Sequence, residues 1–200
     1  QGTPYLSWCI ISRNSETTVE ATLKSLRERT PNAEIVVVDT CSRDSSPEIV
    51  QRYADVYEVY RGPRGDWDED MPWFDDAAAA RQRAFELASG TWRGWIDTDD
   101  RLAGPEEAER LLRLNKSFCP PVPRGKGVGN SSEVMTLEDT LHLLEKRHPE
   151  ADCVWAPYLY RRDGDGHALI WQERERIVRW DPTRWRWAER AHEILVPIKH

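Results

Sequence analysis

No stretch of this chain stays apolar for the roughly 20 residues that a membrane-spanning helix needs, and no signal peptide opens it. The sequence therefore predicts a soluble, cytoplasmic protein. The chain opens at Gln1 and Gly2 without an initiator methionine, which reads either as foreign leading residues or as a cut from a longer protein. Cysteine is also scarce: Cys9, Cys41, Cys119 and Cys153 lie far apart with no CxxC pair, a pattern that favours reduced thiols over zinc or disulfides. Positive charge is in deficit, and a net charge of -7 argues against a general affinity for phosphate backbones. What remains is a hydrophobic share of 39% and ten tryptophans, enough for a buried core in one domain of 200 residues.

The hydrophobic pattern alternates between two periods. "YLSWCIIS" (5–12) and "AEIVVVD" (33–39) are continuous apolar runs, the signature of strands buried on both faces. Between them, Val19, Leu23 and Leu26 recur at helical spacing. A helix around "PEIVQRYAD" precedes a third strand in "VYEVYRG". The alanine-rich "AAAARQRAFELAS" then predicts a helix closed by Gly90 as its cap, before a fourth strand in "TWRGWID". Strands alternating with helices imply a parallel sheet whose ligands sit beyond the carboxyl ends of the strands, where Asp39 and Asp97 fall. Beyond a helix in "GPEEAERLLRLN", the prolines and glycines of residues 115–133 predict a mobile loop. An amphipathic helix in "TLEDTLHLLEKRH", two strands around "DGDG", and a last strand near "EILVPI" complete the chain.

Three carboxylates in "DTDD" (97–100) need a cation or open solvent to persist, because like charges held close repel. In an extended segment Asp97 and Asp99 point the same way, roughly 6–7 Å apart, which suits Mg²⁺ or Mn²⁺ completed by phosphate oxygens. The plainer reading is an acidic turn capping a helix. Two carboxylates side by side cannot flank a glycosidic bond, so a glycoside hydrolase is disfavoured. The tryptophans of "RWDPTRWRW", interleaved with arginine, are better read as core and hairpin packing than as a glycan or nucleic-acid surface.

In order along the chain, "ISRNSETTVEATLKSL", "IVVVDTCSRDSS" and "DDAAAARQRAFELASGTWRGWIDTDDRL" resemble the family 2 glycosyltransferases, with Thr40, Cys41 and Gln82 departing from the usual pattern. The resemblance implies an α/β fold of the GT-A type, Rossmann-like, with a mostly parallel central sheet flanked by helices. It implies a nucleotide-sugar-binding half over residues 3–104 and an acceptor-binding half over 105–200. On the resemblance, Ser12, Asn14, Asp39, Arg81 and Asp97 bind the nucleotide, with Asp39 on the base. Asp97, Asp99 and His192 hold Mn²⁺ or Mg²⁺, and Asp99 and Glu193 are catalytic. The family usually places its general base in an acidic pair of the acceptor half, and with no match for that pair before the tail, Glu193 in "RAHEIL" is the first candidate for the base and Asp139 in "LEDT" the second.

Plainer alternatives are a solvated helix charge for Arg81 and a hydrogen-bonded core-edge histidine for His192. The expected reaction is an inverting, metal-dependent transfer from a nucleotide sugar, UDP-sugar favoured, to an acceptor that is a glycan, a protein, a metabolite or a modified nucleic-acid base. The rival of another class is a non-catalytic nucleotide-sugar or glycan-binding module, motivated by the missing acidic pair in the acceptor half.

Overall fold

The computed structural model describes residues 2–70, 76–104, 136–162, 168–190 and 193–198. The expected helix in 104–115, the loop at 115–133 and the "DGDG" turn lie largely or wholly outside them. Four strands, β1 (Leu6–Ser12), β2 (Glu34–Asp39), β3 (Val56–Val59) and β4 (Trp92–Trp95), run parallel. They are linked by α1 (Val19–Arg29), α2 (Ser46–Val50) and α3 (Ala77–Leu87). After α4 (Leu137–Arg147), β5 (Cys153–Arg162) and β6 (Ala168–Arg179) join the same sheet, β6 antiparallel to both β4 and β5. The spatial order is β3-β2-β1-β4-β6-β5, a mostly parallel α/β sheet of the type anticipated. A separate hairpin pairs β7 (Trp185–Ala188) with β8 (Ile194–Pro197).

Side-chain alternation explains why the inner strands are apolar throughout. Leu6, Trp8, Ile10, Ile35 and Val37 pack on one face with α1, α2 and Leu141 of α4. Cys9, Val36, Val38 and Trp95 pack on the other with α3 and the β7–β8 hairpin. Trp180 and Trp187 meet the Phe85 ring edge-on at 5.0 and 5.4 Å, so these tryptophans serve packing, whereas Trp155 on edge strand β5 is 60% exposed.

Gly90 is not a helix cap. Helix α3 ends at Leu87 with Ala88 as its cap. A Cβ on Gly90 would lie 2.8 Å from the backbone N of Ser7, so the glycine permits close approach to β1, and its N–H donates to Ser7 Oγ at 2.8 Å. Strand β4 also stops at Trp95, short of Asp97, and β7 is a strand that the sequence pattern did not mark.

Candidate active site

In the order β3-β2-β1-β4, the chain leaves β1 toward β2 on one side while β4 lies on the other, which opens a crevice beyond their carboxyl ends. The "DTDD" segment occupies one wall. It is a turn rather than an extended strand end, with the Asp100 amide donating to the Asp97 carbonyl at 3.1 Å. The expectation that Asp97 and Asp99 share a face through strand alternation is therefore overturned, because the chain reverses between them.

Each part of this turn is tied to a different element. Asp97 Oδ1 accepts from Arg81 Nη2 of α3 at 2.6 Å. The Thr98 hydroxyl donates to Ser15 Oγ at 2.9 Å, and Thr22 of α1 lies within hydrogen-bonding distance of the carbonyls of Thr98 and Asp100. Asp100 turns inward: Tyr158 of β5 donates to its Oδ1 at 2.9 Å and Arg176 Nη2 of β6 stands 3.6 Å from its Oδ2. Burial pushes the Asp100 carboxyl above the ordinary aspartate value, against the pull of Tyr158 and Arg176 and helped by the nearby charges of Asp97 and Asp99. Asp99 is exposed.

Arg81 is fully buried, so it is not the solvated helix charge of the plainer reading. Its Nη2 also donates to Glu193 Oε1 at 3.0 Å, and its Nη1 faces the carbonyls of Cys9 and Ile96 at 3.4 Å. The guanidinium lies 5.1 Å from the Trp95 ring centroid and 5.6 Å from that of Trp187. Arg176, almost as buried, stacks at 3.9 Å over the same Trp95 and at 4.4 Å over Tyr158.

The second wall is built by the loops after β1 and β2. Asp39 is buried at the end of β2, opposite Ser12 in the register of β1. Its carboxylate accepts from the Ser42 amide at 2.7 Å and the Ser42 hydroxyl at 2.6 Å. Burial raises its pKa, and the Ser42 bonds restrain that rise. The Ser12 hydroxyl is buried without a hydrogen-bond partner. Asn14, at φ +47°, donates its amide to Ser42 Oγ and accepts from the Arg43 amide, so it stitches the two loops together. Cys41, where the family pattern has glycine, sits at φ +67°, and its thiol approaches the carbonyls of Tyr60 and Trp67. Asp39, Cys41, Ser42, Tyr57 and Arg61 line part of a cavity of about 490 Å³.

The sequence-predicted residues thus fall into two neighbouring groups. Asp97 and Glu193 each accept from Arg81, and Ser12, Asn14 and Asp39 surround the loop at Ser42. His192 lies outside the described residues, and among those described no three His, Cys, Asp or Glu side chains converge as a metal site. Sequence reasoning missed Tyr158, Arg176 and Trp95. In "QERERIVRW" an arginine on an alternating strand reads as solvent-facing, and only tertiary contact reveals it as buried.

Comparison with known proteins bears directly on this site. The model of Glycosyl transferase family 2 matches residues 7–168. EpsH of Bacillus subtilis (strain 168), described as a glycosyltransferase, is 32% identical over 112 residues, which are 56% of this chain and 30% of that protein. TuaG of the same organism, described as a teichuronic acid biosynthesis glycosyltransferase, is 30% identical over 121 residues, 58% of this chain and 44% of that protein. The chain thus spans less than half the length of these curated relatives. Among solved structures, S. aureus TarS in complex with UDP-GlcNAc gives a TM-score of 0.41 at 23% identity, over 55% of this chain and 31% of that one. The mannosyltransferase PcManGT from Pyrobaculum calidifontis, in complex with GDP-Man and Mn²⁺, gives 0.40 at 21% identity, over 56% and 33%.

Proposed function

The chain belongs to glycosyl transferase family 2, and from that premise we propose that it carries the donor site and part of the acceptor site of a metal-dependent, inverting glycosyltransferase acting on a nucleotide-diphosphate sugar. The observation that carries this reading is the charge balance at the turn. Three carboxylates, Asp97, Asp100 and Glu193, pair with two buried guanidiniums, Arg81 and Arg176, and a fourth, Asp99, stands exposed on the same turn. The excess of negative charge suits one divalent cation. Asp97 and Asp99 would hold it as two of its ligands, with His192 a third, and a Mg²⁺ or Mn²⁺ site of this kind takes its remaining ligands from water and phosphate oxygens. When bound, the ion would offset the charge that develops on the nucleoside diphosphate as it leaves.

The rest of the work falls to side chains. The cavity beside Asp39 takes the base, with the ionised carboxylate accepting from a base N–H, a demand that the imide of uracil meets. UDP-sugars are therefore the favoured donors. The buried Ser12 hydroxyl supplies a further polar group beside the nucleotide. Glu193, held by Arg81 Nη2 at 3.0 Å, takes the acceptor's proton as the acceptor oxygen attacks the anomeric carbon and the nucleoside diphosphate leaves, which inverts that centre. The acceptor is a hydroxyl-bearing or comparable nucleophile brought by the half that follows residue 104.

The test is a thermal-shift screen of nucleotide sugars with Mn²⁺ present. At ligand about 100 times its dissociation constant the wild-type protein should gain ~2.7 kcal/mol against unfolding. Asp99→Asn should lose the metal-dependent part of that gain, and a variant shift equal to that of the wild type would remove Asp99 from the metal site.

A further inference from the structure

The "DTDD" turn is held at both ends by arginines that stack on one tryptophan. At its start, Arg81 Nη2 bonds Asp97 Oδ1 at 2.6 Å, and at its end Arg176 Nη2 stands 3.6 Å from Asp100 Oδ2. Both guanidiniums lie over the Trp95 ring, at 5.1 and 3.9 Å, and Trp95 is itself fixed by donating its indole N–H to the Glu175 carbonyl at 2.6 Å. Tyr158 covers the other ring contact of Arg176 and bonds the second oxygen of Asp100. Asp99, between these ends, is exposed, and the Asp97 side chain is 42% exposed, whereas Asp100 turns inward.

Arg81 is fully buried and Arg176 is 8% exposed, so neither presents an open face to a ligand. A buried guanidinium is costly unless its hydrogens find acceptors or its charge a partner. Arg81 donates to the Asp97 and Glu193 carboxylates and to the carbonyls of Cys9 and Ile96, its Nε alone without an acceptor, while Arg176 donates to the Trp95 carbonyl and is ion-paired with Asp100. Arg174 is a third guanidinium over Trp95, at 5.4 Å, but Arg81 and Arg176 are the two that reach the turn from this platform, fixing Asp97 and Asp100 and leaving Asp99 outward.

We propose that Arg81 and Arg176 are paired positioning residues that clamp Asp97 and Asp100 against Trp95 and so preset the carboxylates that receive the divalent cation. Arg81 acts through Asp97 and Glu193 rather than by touching the nucleotide, and Arg176, from the half that follows residue 104, contributes to the donor site without facing it. The proposal rests on the metal-dependent reading above. A lysine at either position keeps the charge but cannot supply the planar fork, so charge-conserving substitution separates positioning from simple neutralisation.

The experiment titrates Mn²⁺ into the protein with saturating UDP and follows the loss of the free-ion paramagnetic resonance signal, with a thermal melt of each variant as the folding control. In Arg81→Lys and Arg176→Lys the Mn²⁺ dissociation constant should rise roughly 10- to 100-fold, the range found when groups supporting metal ligands are removed. If Arg81→Lys does not fold, Arg176→Lys carries the test from the other end of the turn. Folded variants that bind Mn²⁺ as the wild type does overturn the clamp while leaving the metal site standing. A wild-type protein that takes up no Mn²⁺ overturns the metal reading and the clamp together.

Discussion

Asp39 shows how a single side chain carries both the cost and the use of burial. Its folded pKa is raised, mainly because burial disfavours the charge, so neutral Asp39 favours folding at pH below the unfolded value and that contribution is lost as pH rises through the folded value. The proposed base recognition runs the opposite way, since it needs the ionised acceptor. UDP affinity should therefore fall on acidification from pH 7 toward about pH 4, beginning above the range where an ordinary aspartate titrates. Asp39→Asn should bind UDP weakly and without that component, and calorimetry across the range checks both. A wild-type profile parallel to that of the variant would exclude Asp39 from the base. At this scale the sequence was partly legible. Asp39 and Asp97 end apolar runs and announced themselves, whereas the Ser42 bonds to Asp39 and the inward turn of Asp100 depend on loop conformations that no spacing encodes.

At the scale of elements, α4 illustrates a helix placed by a polar tie as much as by its apolar face. Leu141 is its one fully buried residue, and Glu145 accepts from the Tyr5 hydroxyl at 2.6 Å and the Trp92 indole at 3.1 Å, with Arg179 3.3 Å away. The Tyr5 hydroxyl is correspondingly held up to about 12, by burial first and by Glu145 next. Removing the carboxylate leaves the part-buried Tyr5 hydroxyl without its acceptor, the Arg179 guanidinium without this ionic partner, and the buried Trp92 indole with only the Tyr5 oxygen at 3.3 Å. Glu145→Ala should cost about 1–3 kcal/mol in urea unfolding and return the Tyr5 titration toward the ordinary tyrosine value, while UDP binding, centred at the other end of the strands, stays as in the wild type. A loss below about 0.5 kcal/mol would show that the apolar face of Leu137, Leu141 and Leu144 docks the helix without the polar tie. Helices α1, α3 and α4 were readable from periodicity and alanine content. The strand at Trp185–Ala188 was not, because "RWRW" exposes arginines and buries Trp187 only once the hairpin lies against Phe85.

For the whole molecule, the order β3-β2-β1-β4-β6-β5 puts β1 and its neighbours at the centre and β3 and β5 at the rims. Amide exchange should be slowest at Cys9, Ile10, Val36 and Val37, which are buried between strands and helices, and fastest among the strands at β3 and β5. Equal protection of β3 and β1 would contradict this ranking. The parallel core was legible because burial on both faces writes an unbroken apolar run. The antiparallel addition was legible as two strands but not as a partner of β4, since pairing between distant segments leaves no local trace. That pairing has a consequence for how such a chain changes over time. With β6 hydrogen-bonded to β4 through Gly94 and Ile177, immediately before the acidic turn, one continuous plate underlies the proposed donor site and the segments that follow residue 104. On that proposal, new acceptor preferences would arise by remodelling what is hung from the plate's rim, since bending the plate would also spoil the donor site.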